Sequence, residues 1–225
     1  MDLPVFAIIP AAGSASRMGF CKLTTPLCGK SVIFRTLETF QALGFEKIIV
    51  PVNPDRMEEF KTMLGAKATV IEGGNCRARS VHNAVKTLND IKNAIVVIHD
   101  CDRPFVKAKI ILETIEEAKK TGAAIAAVPC SSTVKETKED GSISSTIPRE
   151  KLYFASTPQT FQLKALREAY AKLDDKTDWE SLTDEAMILE IAGLEVKICR
   201  DSEENFKLTT RKDWDFASYL LTKNA

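Results

Sequence analysis

The chain has 225 residues, 44% of them hydrophobic, and its 31 lysines and arginines balance 31 aspartates and glutamates. A length of this kind buries roughly 70 to 75% of the unfolded surface in one core, and a zero net charge supplies no field to recruit nucleic acid or an anionic membrane. No N-terminal stretch joins a charged region to a long apolar run and no apolar run approaches a membrane span of roughly eighteen residues, so a cytoplasmic chain of one domain is expected.

An apolar strand, Val5 to Pro10, opens the chain and runs into Pro10-Ala11-Ala12-Gly13-Ser14-Ala15-Ser16-Arg17-Met18-Gly19, with Lys22 close behind. Small residues let such a backbone bend and turn its N–H groups toward an anion, and Arg17 and Lys22 add charge where phosphates would lie. The Walker A loop and the dinucleotide fingerprint G-x-G-x-x-G both fail here, because Ala15 replaces the second glycine and no Gly-Lys-Ser/Thr follows. A plain surface turn is the competing reading.

Further buried strands are expected at Lys47 to Val52, Ala68 to Ile71, Ala94 to His99 and Ala123 to Val128, each a nearly continuous apolar run of the kind parallel sheets require. Amphipathic helices alternate with them near Val32 to Leu43, Asp55 to Leu64, Arg79 to Leu88 and Lys109 to Lys120. This rhythm predicts a doubly wound, mostly parallel α/β sheet with ligands at the carboxyl ends of the strands. After the third strand comes Gly73-Gly74-Asn75-Cys76-Arg77-Ala78-Arg79-Ser80, where paired glycines permit close approach to a flat ligand and Ser80 offers a hydroxyl near a helix start. After the fourth comes His99-Asp100-Cys101-Asp102-Arg103, whose acids are placed to hold Mg²⁺ or a substrate hydroxyl; a helix cap beside a solvated arginine is the alternative.

Residues 131–154 break the rhythm. Asp140-Gly141 between two alternating, threonine-rich runs signals a β-hairpin, too polar to be core. An exposed hairpin leaves unpaired edges, which a second copy of the chain would cover most economically. The six cysteines (Cys21, Cys28, Cys76, Cys101, Cys130 and Cys199) form neither a Cys-x-x-Cys pair nor a Cys/His cluster, so reduced thiols are expected.

Taken in order, these segments resemble the 2-C-methyl-D-erythritol 4-phosphate cytidylyltransferase family of the non-mevalonate isoprenoid pathway. The resemblance runs from the Pro10-Ala11-Ala12-Gly13 loop through Gly73-Gly74, Arg77 and Ser80-Val81, His99-Asp100 with Arg103-Pro104, and Thr157-Pro158-Gln159. It continues through Thr183-Asp184-Glu185-Ala186 to Lys207 with Thr209. It implies a Rossmann-like nucleotidyltransferase fold of one domain, 1–225, with 131–154 as a dimerisation arm. It also implies transfer of CMP from CTP to the sugar alcohol phosphate with Mg²⁺ or another divalent cation, releasing pyrophosphate. On that resemblance Arg17, Lys22, Arg149 and Lys207 are catalytic, Ala11, Ala12, Gly13 and Ser14 hold the nucleotide backbone, and Gly74, Asn75 and Ser80 grip cytosine. Asp100, Arg103, Thr133 and Thr157 bind the acceptor, Asp100 also lying near the metal, and Thr133 and Arg149 reach a partner subunit's substrate in a homodimer. A plant-type member of the family would work in the plastid stroma.

Departures from the family pattern fall at Ala15 for glycine, Asp102 for alanine and Arg211 for proline, and the resemblance offers no role for Asp102. Another alditol phosphate such as ribitol 5-phosphate is the alternative acceptor. A nucleotide sensor without turnover is a further reading, though such a protein would be expected to lose Lys22 or Lys207, and both are present.

Overall fold

The computed structural model describes residues 3–13 and 20–223, so Ser14, Ala15 and Arg17 lie outside the described residues. Its centre is a seven-stranded sheet. In chain order the strands are β1 (Val5–Ile8), β4 (Lys47–Val52), β5 (Thr69–Glu72), β6 (Ile95–Ile98), β7 (Ala123–Pro129), β10 (Tyr153–Gln162) and β11 (Lys197–Arg200), arranged β11-β7-β10-β6-β1-β4-β5. All neighbours are parallel except β10, which runs antiparallel to both β6 and β7. Two short strands, β2 (Pro26–Leu27) and β3 (Lys30–Ser31), form a separate hairpin.

Alternation along each strand explains why helices cover both faces. Phe6, Ile8, Val96 and Ile98 point into one core with α3 (Arg77–Lys86), α5 (Leu163–Ala171) and α6 (Glu185–Ile191). Their neighbours Ala7, Ile9, Ile95 and Val97 point into the other, against Ile33, Leu37 and Phe40 of α1 (Val32–Ala42), Phe60 of α2 (Met57–Leu64), and Ile111 of α4 (Ala108–Thr121). The last helix, α7 (Arg211–Lys223), closes a third small cluster in which Leu208 and Trp214 pack with Leu27 and Val32. The expected doubly wound sheet is therefore the observed one.

Element limits move by a few residues. β1 ends at Ile8 rather than Pro10, and α3 begins at Arg77 with Cys76 as its N-cap, so Ser80 lies inside the first turns rather than capping. The expected hairpin is β8 (Val134–Thr137) paired with β9 (Ile143–Ile147), a sheet of its own outside the seven strands. Gly141 takes φ of +82° at its turn, as glycine does without a Cβ penalty, and Asp140 Oδ1 accepts from the Ser142 N–H at 2.9 Å.

Candidate active site

The loops after β1, β4, β5 and β6 open on one edge of the sheet and line a cleft of about 830 Å³. One wall is backbone. Ala11 bridges to Val52 beyond the end of β1, its N–H donating to Pro51 O at 2.9 Å, and the Gly73 N–H donates to Val52 O at 2.7 Å. These bonds bring the loops after β1 and β5 into contact across β4. A Cβ on Gly73 would sit 2.8 Å from Ala12 Cβ and 2.9 Å from Val52 O, and one on Gly74 would collide with Arg79. Glycine is the residue that fits at either position without displacing a neighbour. Ser80 Oγ accepts from the Gly74 N–H at 3.0 Å and donates to Cys76 O at 2.8 Å, so its hydroxyl fixes the loop in front of α3 and keeps one acceptor lone pair.

The other wall is charged. Asp100 ends the β6 run, where the buried backbone is held by a relay: the Asp100 N–H donates to Thr157 Oγ1 at 3.0 Å, and that hydroxyl lies 2.9 Å from His99 Nδ1. The hydroxyl then donates to Nδ1, leaving the His99 ring proton on Nε2, 3.1 Å from Arg103 O. Burial keeps this imidazole neutral, lowering its pKa to about 4. Asp100 Oδ1 receives Arg77 Nε at 3.0 Å, and Oδ2 lies 3.0 Å from Lys207 Nζ and 3.6 Å from Arg103 Nε. Burial alone would raise this carboxyl, but Arg77, Lys207 and Arg103 overcome it and hold the group well below the usual carboxylate range.

Arg77 is the link between the walls. Standing at the first position of α3, beside the glycine loop, it reaches Asp100 with Nε and sends Nη1 to both oxygens of the fully buried Glu185 at 3.1 and 2.9 Å. Burial raises the Glu185 carboxyl, opposed by the attraction of Arg77. Glu185 is aimed by its own helix start: Asp184 caps α6 by accepting from the Met187 N–H at 2.9 Å, and Gln159 Oε1 accepts from the N–H groups of Glu185 and Ala186 at 3.2 Å.

Lys22 leaves the Cys21–Thr25 turn, which is closed by the Thr25 N–H on Cys21 O at 3.0 Å. Its Nζ meets Asp102 Oδ2 and Leu208 O, each at 2.6 Å. Asp102, for which the resemblance offered no role, is flanked by Lys22 and by Lys207, 3.8 Å from its Oδ1; Arg103 serves Asp100 and donates to Asn205 O at 2.8 Å. Cys101 between them is buried, and burial pushes its thiol up, the inert condition. All six cysteines are free.

The cleft thus gathers Ala11, Ala12, Gly13, Lys22, Gly74, Asn75, Ser80, Asp100 and Lys207 from the residues singled out in the sequence. Thr157 and Arg103 are behind its wall, supporting Asp100. Thr133 and Arg149 lie on the arm, outside the cleft, and Arg149 Nη1 donates to Ser131 O at 2.6 Å at the arm's base. Arg17 and Ser14 lie outside the described residues. Sequence reading missed Glu185 as the partner of Arg77, although Asp184-Glu185 ahead of an apolar run is a helix-start signal that could have pointed to it.

Among the described residues no three His, Cys, Asp or Glu side chains gather to hold a metal ion. Magnesium, however, commonly takes one or two carboxylates and completes its shell with phosphate and water. Asp100 could serve that mode as a single protein ligand only by giving up one of its contacts with Arg77 and Lys207.

Close-packed loops of small residues facing Lys22, Arg77 and Lys207 at the carboxyl edge of a doubly wound sheet define an α/β protein built to bind a phosphorylated nucleotide. A sequence model described as IspD, 2-C-methyl-D-erythritol 4-phosphate cytidylyltransferase, matches residues 5–223. The 2-C-methyl-D-erythritol 4-phosphate cytidylyltransferase of Syntrophus aciditrophicus is 37% identical over 233 residues, covering 99% of this chain and 98% of its own length. That of Acidobacterium capsulatum is 34% identical over 237 residues, covering 98% of each. The crystal structure of 4-diphosphocytidyl-2C-methyl-D-erythritol synthase from Anaerococcus prevotii has a TM-score of 0.83 at 29% identity, covering 98% of this chain and 96% of its own. The 2-C-methyl-D-erythritol 4-phosphate cytidylyltransferase structure from Francisella tularensis gives 0.83 at 30%, covering 96% and 99%. The chain belongs to the 2-C-methyl-D-erythritol 4-phosphate cytidylyltransferase family.

Proposed function

We propose that this protein transfers CMP from CTP to 2-C-methyl-D-erythritol 4-phosphate, giving 4-diphosphocytidyl-2-C-methyl-D-erythritol and pyrophosphate. The observation that carries the reading is the meeting of Lys22, Arg77 and Lys207 around two buried carboxylates in a cleft whose facing wall is the backbone of 10–13 and 73–75. An oxygen of the acceptor phosphate attacks the α-phosphorus, and the bond to the bridging oxygen of the β-phosphate breaks. Such a displacement needs positioning and charge neutralisation rather than a covalent catalyst. Lys22 neutralises charge growing on the phosphates, Lys207 steers the attacking phosphate, and Asp100 accepts a hydroxyl of the acceptor. The glycine loop with Asn75 and Ser80 selects the base.

Asp100 is also the residue to hold Mg²⁺, which would offset triphosphate charge when bound. The arm is assigned to a homodimer in which Thr133 and Arg149 complete the partner's site. With the family's work on small phosphorylated metabolites, and no helix among the described residues long and apolar enough to cross a membrane, the cytoplasm is its place.

The testing assay is pyrophosphate release with CTP or UTP against a panel of alditol phosphates. CTP should exceed UTP at least tenfold in kcat/KM, because a mispatterned base strands buried polar groups at about 1 to 3 kcal/mol each, and methylerythritol phosphate should exceed ribitol 5-phosphate. Equal use of UTP would remove the base-selecting role from the glycine loop, and a preference for ribitol 5-phosphate would reassign the acceptor.

A further inference from the structure

The site contains a carboxylate for which transfer chemistry has no evident use. Asp102 is buried beside two lysines in a cleft meant for a triphosphate, where a second carboxylate beside Asp100 opposes binding. Its surroundings show what it does instead. The Asp102 carbonyl accepts from the Leu208 N–H at 2.9 Å, and Arg103 Nη1 donates to Asn205 O at 2.8 Å, so the 100–103 and 205–208 segments are stitched together. Lys22 then inserts its ammonium between them, one N–H on Asp102 Oδ2 and one on Leu208 O, each at 2.6 Å. An ammonium carries three donors at tetrahedral angles. With two of them fixed, the direction of the third is fixed as well, in a side chain that lines the cleft with Ala11, Ala12 and Gly13.

We infer that Asp102 is a positioning residue for Lys22: with the Leu208 carbonyl it holds the ammonium so that its remaining N–H meets the developing charge on the phosphates. Asp102 acts through Lys22, whose ammonium occupies its Oδ2, so the inference rests on the transfer role proposed for that lysine. A free lysine carries a flexible four-carbon stem, whereas a donor fixed before the reaction needs no reorganisation during it. The two consequences of the carboxylate have opposite signs. Its charge weakens nucleotide binding, while its hold on Lys22 raises turnover. Truncation should therefore lower kcat without raising the dissociation constant for CTP, a split that general damage to the site would not produce.

The experiment is a double-mutant cycle on Lys22 and Asp102, with kcat from pyrophosphate release and CTP affinity by calorimetry. Asp102→Ala should lose about ten- to a hundredfold in kcat, a misplaced group costing up to about a hundredfold, and should bind CTP as tightly as wild type or more so. Asp102→Asn keeps an oxygen acceptor for the ammonium and should recover to within about threefold of wild type. In the Lys22→Ala background, Asp102→Ala should cost nothing further. Thermal unfolding verifies folding, and Asp102→Ser supplies the truncation if the alanine variant does not fold. Undiminished kcat in Asp102→Ala, weaker CTP binding at unchanged kcat, no rescue by Asp102→Asn, or a full additional loss in the double variant would each overturn the inference. Wild-type kcat in Lys22→Ala alone would overturn the reading of Lys22 and this inference with it, whereas an impaired Lys22→Ala beside a normal Asp102→Ala overturns the inference only.

Discussion

The two walls of the cleft are made in different ways. The wall of 10–13 and 73–75 is backbone, fixed by neighbouring strands and by glycines that admit no Cβ. The wall of 100–103 and 205–208 is side chain, fixed by ion pairs joining residues 23, 80, 107 and 108 apart in the chain. A backbone wall resists small changes by steric exclusion and needs no charge. A charged wall depends on every partner, because removing one leaves another buried and uncompensated. The first is suited to holding a nucleotide and the second to acting on it.

The largest expected effect falls on the charged wall. Glu185→Ala leaves the Arg77 guanidinium, which Glu185 holds at 2.9 Å, with Asp100 alone of its two carboxylate partners, and breaking a buried pair from one side costs about 3 to 5 kcal/mol. Chemical denaturation should show that loss, with a melting temperature lower by roughly 6 to 20 °C for a chain of this size. A loss below about 1 kcal/mol would mean that the network is not a structural unit.

The relay behind the same wall gives a pH dependence. Folded His99 has its pKa lowered to about 4 from an ordinary 6.5 by burial. Between those values the unfolded chain takes up a proton that the folded one refuses, so stability falls as pH drops from 6.5 to 4, by about 3 kcal/mol from this group. Denaturation at pH 7 and pH 4 should show His99→Gln losing less than wild type by about that amount. Parallel losses would place the acid sensitivity elsewhere.

The backbone wall should answer more mildly. Gly73→Ala brings a methyl to 2.8 Å from Ala12 Cβ and 2.9 Å from Val52 O, and overpacking of this kind costs about 1 to 3 kcal/mol. As Ala12 gives way, the KM for CTP should rise about tenfold with kcat changed far less. A fall in kcat at unchanged KM would erase the division of labour between the walls.

The same contrast governs how much could be read from sequence. Parallel strands such as β1, β4 and β6 are buried on both faces and announce themselves as apolar runs, and Gly73-Gly74 marks a close approach in its letters alone. β10 does not. It carries Thr157, Pro158, Gln159 and Thr160 into the interior, and each polar side chain is met by a distant partner: Thr160 by Thr114 at 2.8 Å, Gln159 by Asp184 at 2.8 Å, Thr157 by Asp100 and His99. For the same reason Lys22 and Lys207 could be singled out by resemblance, but their meeting around Asp102 could not. No local pattern encodes a contact between residues 22, 102 and 208. The arm was legible because Asp140-Gly141 specifies its turn locally.

The account stands most directly on Lys22. In Lys22→Ala, kcat at saturating CTP and acceptor should fall roughly a hundred- to a thousandfold, as on loss of one preorganised donor, while CTP affinity measured by calorimetry falls far less. Wild-type kcat with only a raised KM for CTP would make the charged wall a binding surface and contradict the assignment of transfer to it.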